Sequence, residues 1–430
     1  MKTINVAVVG IGFIGLPLAL SYAMKGARVI GLDVSEPLIT DINNGESHHL
    51  EYDNGKSLRE ILQEQLASGH FRGTTSYEEA AGEVDHYIIT VGVDVKDGKP
   101  ATENLKAAMT DLAKVIKKGD TVLVRSTVVP GTTEEVVKPI LESSGLTVGE
   151  DIYLGYSSER IAEGRAFDEF RTMPLAVGGV NETSLKKCRA LLEVVTEADI
   201  RETSITIVEA AKVIENVQRD VNIAMVQEIA RLSEAMGVDT QELIQTANTH
   251  KRVQLLIPGP GVGGYCLPNA LYYLLPKAEE HDVNLSLLRK ARQINDLVPQ
   301  HIVTSVKNKL EESGKSLKGA KVAVLGLAMK DFSNDDRISP PHDIVELFLE
   351  FGADVHAYDP AVPSRYEYKT DSLDEAVADA DVLVYLTVQE AFVEYDFKDI
   401  VTRMADNPVL FDAKNRIPLS LRESVTLLRL

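Results

Sequence analysis

Apolar residues along the chain fall into short β-branched runs, separated by stretches with a rhythm of three and four. Residues 4–9, INVAVV, read as a buried strand. GIGFIG follows, then PLALSYAMKGA at helical spacing, then RVIGLDV as a second strand. Together these predict a βαβ unit of about 30 residues. VDHYIITVGV and DTVLVRSTVVP are further runs of strand length, with the helical pattern ATENLKAAMTDLAKVIKKG between them. DIYLGYSSER and TMPLAVGG continue the strand pattern. Strands alternating with helices to about residue 200 predict a parallel sheet covered on both faces.

The middle of the chain changes character. From 204 to 237 the pattern is helical throughout, ending at Gly237, a residue suited to a C-cap. A helix of about 30 residues is roughly 45 Å long. It could serve as the spine between two domains and as the face of a homodimer. A second α/β pattern starts after SGKSLKG, which reads as a linker. KVAVLGLAMK is a strand entering a glycine turn, and DIVELFLEFGA, DVHAYDP, DEAVADA, DVLVYLT and PVLFDAKN alternate helix and strand. The expected fold is α/β: two Rossmann-like, doubly wound parallel-sheet domains joined by a long central helix, divided as 1–200, 201–300 and 301–430.

The balance of charge limits the partners. The 430 residues carry a formal net charge of -20 and no Trp. That field repels nucleic acid and anionic membranes, and stacking platforms for single strands are scarce. An anionic substrate would have to be held by local positive groups and helix N-termini, against the global field. No run approaches the ~20 apolar residues needed to span a bilayer, and the first residues read as a strand and not as a signal peptide. The two cysteines, Cys188 and Cys266, give no disulfide framework, which suits a reducing cytoplasm. Cys188 sits at an apolar helical position and reads as core. No metal site is expected.

Gly10, Gly12 and Gly15 form a GxGxxG pattern, with Phe13 and Ile14 inside it. The pattern follows a strand, opens a helix, and has Asp33 at the end of the next strand. That context turns a weak motif into a dinucleotide fingerprint. The glycines let a diphosphate approach the helix N-terminus. Asp33 would accept hydrogen bonds from the adenosine ribose and repel a 2′-phosphate, which favours NAD over NADP. The alternative is a glycine turn needed only for helix–sheet packing. The second turn, at 326–330, lacks the third glycine and is not expected to be another NAD site.

Five further segments, in order, resemble the UDP-glucose, GDP-mannose and UDP-N-acetylhexosamine dehydrogenases. They are STVVPGTT (126–133), SERIAEG (158–164), EAAKVIEN (209–216), GPGVGGYCLP (259–268) and the stretch from LGLAMK to NDDRISP (325–340). The form of the cysteine loop is most similar to the branch acting on UDP-N-acetylated sugars. The resemblance implies oxidation of a sugar C6 hydroxyl to the acid with NAD, supplying polysaccharide biosynthesis. It implies an NAD-binding first domain, a central catalytic and dimerising segment, and a C-terminal domain for the UDP-sugar. Cys266 would be the nucleophile, passing through a thiohemiacetal and a thioester. Lys212 and Asn216, four apart on one helix face, would stabilise the oxyanion at C6. Ala210, Ala211, Val213 and Ile214 around the pair imply a crowded site. Thr127 and Glu163 match water-binding and acid/base positions, with Glu159 one helical turn before Glu163. Arg160, Gly263, Lys330 and Arg337 match substrate-binding positions, and Arg252 matches a loop that in some relatives reaches the partner subunit's site. For each of these charged and polar residues a solvated surface position is the alternative, and for Cys266 it is a small apolar filler.

The sequence also departs from that family. The family has an Asp four residues after its cysteine, where this chain has Ala270. Asn269 beside it cannot act as a base. VGVD (91–94) replaces a Thr-Pro turn, and Ser157-Ser158 replaces Ser-Pro. The missing carboxylate leaves room for an NAD-retaining epimerase or a two-electron oxidoreductase. A sugar-nucleotide sensor would not need Cys266, Lys212 and Asn216 together. A β-hydroxyacid dehydrogenase would not need the last domain.

Overall fold

The computed structural model describes residues 4–162 and 164–430. The chain packs as two compact units. One holds the chain up to Glu215 together with Tyr272–Val283, and the other holds Asn216–Leu271 and Asn284–Leu430. The middle segment expected at 201–300 is therefore shared between the two.

The first unit is built on eight strands: β1 (Asn5–Val9), β2 (Arg28–Leu32), β3 (Phe71–Thr74), β4 (His86–Ile89), β5 (Thr121–Val124), β6 (Tyr153–Ser157), β7 (Leu175–Gly179) and β8 (Ile200–Glu202). Their order in the sheet is β8-β7-β6-β5-β4-β1-β2-β3. Helix α1 (Gly15–Met24) follows β1, and α2 (Ala166–Thr172) lies between β6 and β7. Val6 to Val9 are all buried, as a central strand covered on both faces requires. Val6 sits opposite Val29 on one side and His86 on the other. The chain runs outward from β1 to β3, then returns to the other side of β1 as β4. The switch point thus lies between β1 and β4, where open α/β sheets place their ligands.

Two strands at one side of the sheet, β7 and β8, depart from the parallel arrangement that the sequence predicts, and they pair in parallel with each other. β7 pairs antiparallel with β6, with Gly155 opposite Gly179. The intervening helix α2 has seven residues. At ~1.5 Å per residue it is too short to carry the chain back along a strand, as a parallel crossover demands.

Helix α3 (Ile205–Met236) has 32 residues. It ends at Gly237, which adopts φ +68 in the expected C-cap role. Helix α4 (Cys266–Glu280) follows further along.

The second unit carries α5 (Pro340–Glu350) and five strands: β9 (Lys321–Leu325), β10 (Asp354–Tyr358), β11 (Val382–Tyr385), β12 (Val409–Asp412) and β13 (Thr426–Arg429). All pair in parallel, in the order β10-β9-β11-β12-β13. The switch point here is between β9 and β11. The segment SGKSLKG is a tight turn inside this unit, since Lys315 Nζ donates to Asp381 Oδ1 (2.8 Å) and to the Asp406 carbonyl (2.9 Å). Among the described residues, no helix is long and apolar enough to cross a membrane.

Candidate active site

In the first unit the glycine turn lies at the carboxyl end of β1. Gly10 holds φ +86, which an L side chain rarely adopts. A side chain at Gly15 would collide with the Gly10 carbonyl, so α1 is pressed against the turn. A Cβ at Gly12 would meet nothing within 4 Å, so the turn is open to a ligand there. Thr90 Oγ1 donates to the Gly10 carbonyl at 2.7 Å and ties the turn to the end of β4. The first turn of α1 has no side-chain cap and no acidic residue. Its N–H groups are left for an anion. Asp33 Oδ2 accepts from Ile11 N (3.0 Å) and Oδ1 from Ser35 N (3.1 Å), which fixes the carboxylate beside the turn. Phe13 and Ile14 are half-buried. These features fit a dinucleotide whose diphosphate lies on Gly12 and whose ribose faces Asp33.

Two loops of the same unit carry the expected acid/base and water positions. The loop after β5 holds Thr127, which is half-buried. It is clamped by Glu209 of α3, a fully buried carboxylate that accepts from Gly131 N (2.5 Å) and Thr133 N (2.9 Å). Burial pushes the Glu209 carboxyl above its ordinary range, against the hydrogen bonds from Thr133 and Gly131. The loop after β6 holds Glu159. The single helical turn expected from Glu159 to Glu163 is absent, because residues 158–162 are irregular. Glu159 forms a buried ion pair with Arg125 at 2.7 Å, and its Oε1 accepts from Arg160 N (2.7 Å) and Ile161 N (3.0 Å). Glu163 lies outside the described residues. Arg160 pairs with Glu215 of α3 and donates to the Pro174 carbonyl at 2.8 Å. Lys212, on α3, is 8% exposed and has no hydrogen-bond or ion-pair partner among the described residues.

In the second unit, Asn216 is buried on α3. Cys266 is the exposed first residue of α4. The loop before it is held by backbone contacts. Gln227 Nε2 donates to the Gly259 carbonyl (2.7 Å), and Gly264 N donates to the Ile338 carbonyl (2.9 Å). A Cβ at Gly263 would lie 2.6 Å from that same carbonyl, so glycine is required there. Ile338 itself has φ +48, a costly conformation for a β-branched residue. Its neighbour Arg337 donates through Nε and Nη2 to the two oxygens of Asp335 (2.8 and 2.6 Å), while its guanidinium lies 5.3 Å from the centre of the Tyr265 ring. Burial works against the charged form of Asp335, yet the bonds from Arg337 outweigh it and hold the carboxyl below its usual range. Lys330 is half-buried on the same loop, and Arg252 is exposed after the helix Thr240–Asn248.

Family models match the chain in three consecutive segments. These are the NAD binding domain of the UDP-glucose/GDP-mannose dehydrogenase family at residues 4–196, the central domain at 206–297 and the UDP binding domain at 323–418. The chain belongs to the UDP-glucose/GDP-mannose dehydrogenase family. It is 34% identical to a UDP-N-acetyl-D-mannosamine dehydrogenase of Pyrococcus horikoshii over 413 residues, 96% of each chain. The solved UDP-D-ManNAc dehydrogenase structure from that organism superposes with a TM-score of 0.91 at 34% identity, covering 99% of both chains. The native structure of the Staphylococcus aureus UDP-N-acetyl-mannosamine dehydrogenase Cap5O gives 0.86 at 31% identity, covering 99% of this chain and 98% of that one. A UDP-N-acetyl-D-mannosamine dehydrogenase of Escherichia coli K12 is 32% identical over 91% of this chain and 95% of that protein.

This family member is an NAD-dependent nucleotide-sugar dehydrogenase, and its first domain binds NAD. The second glycine turn follows a related plan with one more amide engaged. The buried Asp359 carboxylate at the end of β10 accepts from Leu327 N (2.8 Å), Ala328 N (3.2 Å), Ala361 N (2.9 Å) and Gln389 Nε2 (3.1 Å). Leu327 N and Ala361 N stand where Ile11 N and Ser35 N stand beside Asp33, and Ala328 N, at the place of Gly12, is bound as well. Cys188 is fully buried in the core, and burial pushes its thiol up to about 12. Ile214, expected to crowd Lys212, is 54% exposed on the outer face of α3, while Val213 is buried. Glu209, Arg125 and Asp335 were not singled out by the sequence. Each is a charged residue inside a recognised motif or beside one, and no pattern marks it as buried.

Proposed function

We propose that the enzyme oxidises the C6 hydroxyl of a UDP-N-acetylhexosamine, with UDP-N-acetylmannosamine favoured by its relatives, to the uronic acid. The observation that carries this reading is Cys266, exposed at the head of α4 behind a glycine pair fixed to the Ile338 carbonyl. NAD, when bound at the turn of residues 10–15, supplies the hydride acceptor. Lys212 and Asn216 stabilise the alkoxide as the C6 hydroxyl gives up its proton and hydride. The Cys266 thiol then adds to the aldehyde, forming a C–S bond and passing its proton to the carbonyl oxygen. Loss of a hydride to a second NAD, and of the hydroxyl proton to water, converts this thiohemiacetal into a thioester. Water cleaves the C–S bond, releasing the acid and restoring the thiol.

Glu163 and Thr127 are assigned to the water. Lys330, Arg337 and the Gly263 backbone are assigned to the sugar nucleotide, with Asp335 aiming Arg337, and Arg252 to a partner's site. Arg160 and Glu159 are assigned to anchoring, because their charges are already engaged. The enzyme is placed in the cytoplasm, where its two cysteines stay reduced.

The test is a panel of UDP- and GDP-sugars with NAD, with NADH counted and products weighed. Two NADH per sugar and a uronic acid are expected. Cys266→Ser should retain slow first oxidation and form no acid, and undiminished acid formation by that variant would overturn the thioester. A second reading rests on Ala270, a buried methyl one helical turn after Cys266. With no carboxylate there, the reaction could stop after two electrons or return the hydride as an epimerase does. One NADH per sugar, or none with an isomerised sugar, would favour it.

The exposed residues Ile207, Ile214, Met225, Leu232 and Met236 recur along α3 at intervals that keep them on one stripe. We assign that stripe to a homodimer.

A further inference from the structure

The segment of residues 47–53 touches two parts of the first unit that the function assigns to different tasks. At one end, the His48 and His49 rings stack on each other (5.1 Å, 21°) and pack against Phe13 of the glycine turn, at 5.5 and 5.2 Å. Ser47 Oγ bonds His49 Nδ1 at 2.7 Å and holds that ring in place. Burial, with the neighbouring His48 ring, lowers His49 to about 4, so it is a neutral packing element at physiological pH. His48 is exposed beside a turn whose Gly12 is open to ligand.

At the other end, the Glu51 carboxylate is 2% exposed. It accepts from Gly164 N (2.6 Å) and Ala166 N (2.9 Å), closing the loop after β6 and capping α2. Two residues on, Asp53 pairs with Arg171 of α2 at 2.7 Å. The loop, held at Glu159 and Arg160 by Arg125 and Glu215, thus gains a further anchor from a strap whose other end rests on the cofactor turn. Among the described residues, Glu51 bonds only backbone N–H groups of the loop and of α2, so its part is positioning.

We propose that residues 47–53 are a strap through which occupancy of the dinucleotide turn orders the loop after β6 at its described residues, 158–162 and 164–166, with Glu51 as the positioning residue. A dinucleotide on Gly12 and Phe13 borders the exposed face of the ring stack. Restricting those rings restricts a short, doubly anchored segment, and Glu51 passes the restraint to the Gly164 and Ala166 amides. The catalytic consequence rests on the proposed role of that loop in the reaction.

Two measurements on the full-length enzyme test this. In hydrogen exchange, NAD should slow the amides of 158–170 in the wild type. In a His48→Ala/His49→Ala variant at saturating NAD, with binding checked by titration, that slowing should be lost. Equal slowing in the variant, or none in the wild type, would overturn the strap. In steady-state kinetics, Glu51→Gln should lower kcat, by up to about 10²-fold if the loop is misplaced by about 1 Å. Its KM for NAD should stay near the wild-type value, and Glu51→Asp should recover part of the loss. If exchange behaves as expected but kcat is unchanged, the strap stands and the loop's role in the reaction fails. If Glu51→Gln does not fold, the exchange comparison still decides.

Discussion

The Arg125–Glu159 pair offers a sharp test of what Glu159 does. Both side chains are nearly excluded from solvent, at 3% and 10%, and their charges meet at 2.7 Å. Glu159→Gln removes one charge and leaves the other buried, with the Phe170 ring 5.9 Å from the guanidinium. Breaking one side of a buried pair costs about 3–5 kcal/mol. The first unit has just over 200 residues, and for that size each kcal/mol shifts Tm by about 2–4 °C, so a fall of roughly 6–20 °C is expected. A lost acid/base group would behave differently, lowering kcat about 10²–10⁴-fold at little cost in stability. The assay is therefore paired: thermal unfolding followed by fluorescence, and kcat per folded molecule well below the transition. A large drop in Tm with kcat largely preserved is expected. An unchanged Tm with kcat reduced a hundredfold or more would refute the anchoring role and return Glu159 to the chemistry.

Ala270→Asp should speed turnover if thioester hydrolysis is slow, since a positioned base contributes up to ~10²–10⁴-fold. Rapid-quench mass spectrometry should find a sugar adduct on wild-type Cys266 that disappears in the variant, and no adduct with no gain would count against slow hydrolysis. NAD should be preferred to NADP in kcat/KM, and Asp33→Ser should narrow the ratio by about tenfold, or 1.4 kcal/mol. A wild-type preference for NADP would show that Asp33 is turned away from the ribose. The raised carboxyl of Glu209 means that the native state binds its proton more tightly than the unfolded chain does. Its contribution to stability therefore declines as pH rises from the unfolded value through the raised native one. Glu209→Gln should flatten the Tm–pH profile in that window, and parallel profiles would contradict this. Sedimentation should show a dimer at micromolar concentration, and Leu232→Glu should dissociate it. A monomeric wild type would remove the stripe on α3 from the account.

Much of the first unit was legible because its signals are local. The run before Gly10, the glycine spacing and the apolar period of α1 each depend on a few adjacent residues. The same holds for α3, whose 32 residues lie inside the expected 204–237. Strand direction is a different matter. TMPLAVGG reads as a strand in either sense, and only the short α2 decides that β7 runs antiparallel. β13, with the four residues TLLR, is too short for its pattern to separate it from the preceding turn. Ile214 shows the limit of reading a helix by neighbours. It is two residues from Lys212, and residues two apart on a helix point in different directions.

The carboxylates that shape the site were illegible for a related reason, and they bear on a difficulty raised by composition. A chain of net charge -20 must bind a dinucleotide and a sugar diphosphate. Several of its acidic groups near the loops are already engaged by the protein. Glu51, Glu209 and Asp359 are buried against backbone N–H groups. Glu159 and Asp335 are paired with Arg125 and Arg337. Most of these bonds join residues about 30 to 115 apart in sequence, so no local window reveals them. Surface carboxylates further away are screened beyond about 8 Å at physiological salt. What a diphosphate meets at the first turn is then the uncapped end of α1, and the Asp33 carboxylate beside it is itself held by two amides. The excess negative charge thus coexists with anion binding, because near the site it is turned inward to hold loops. Exchanging Glu51 or Glu209 for a neutral residue would therefore loosen the site and not make it more attractive to phosphate.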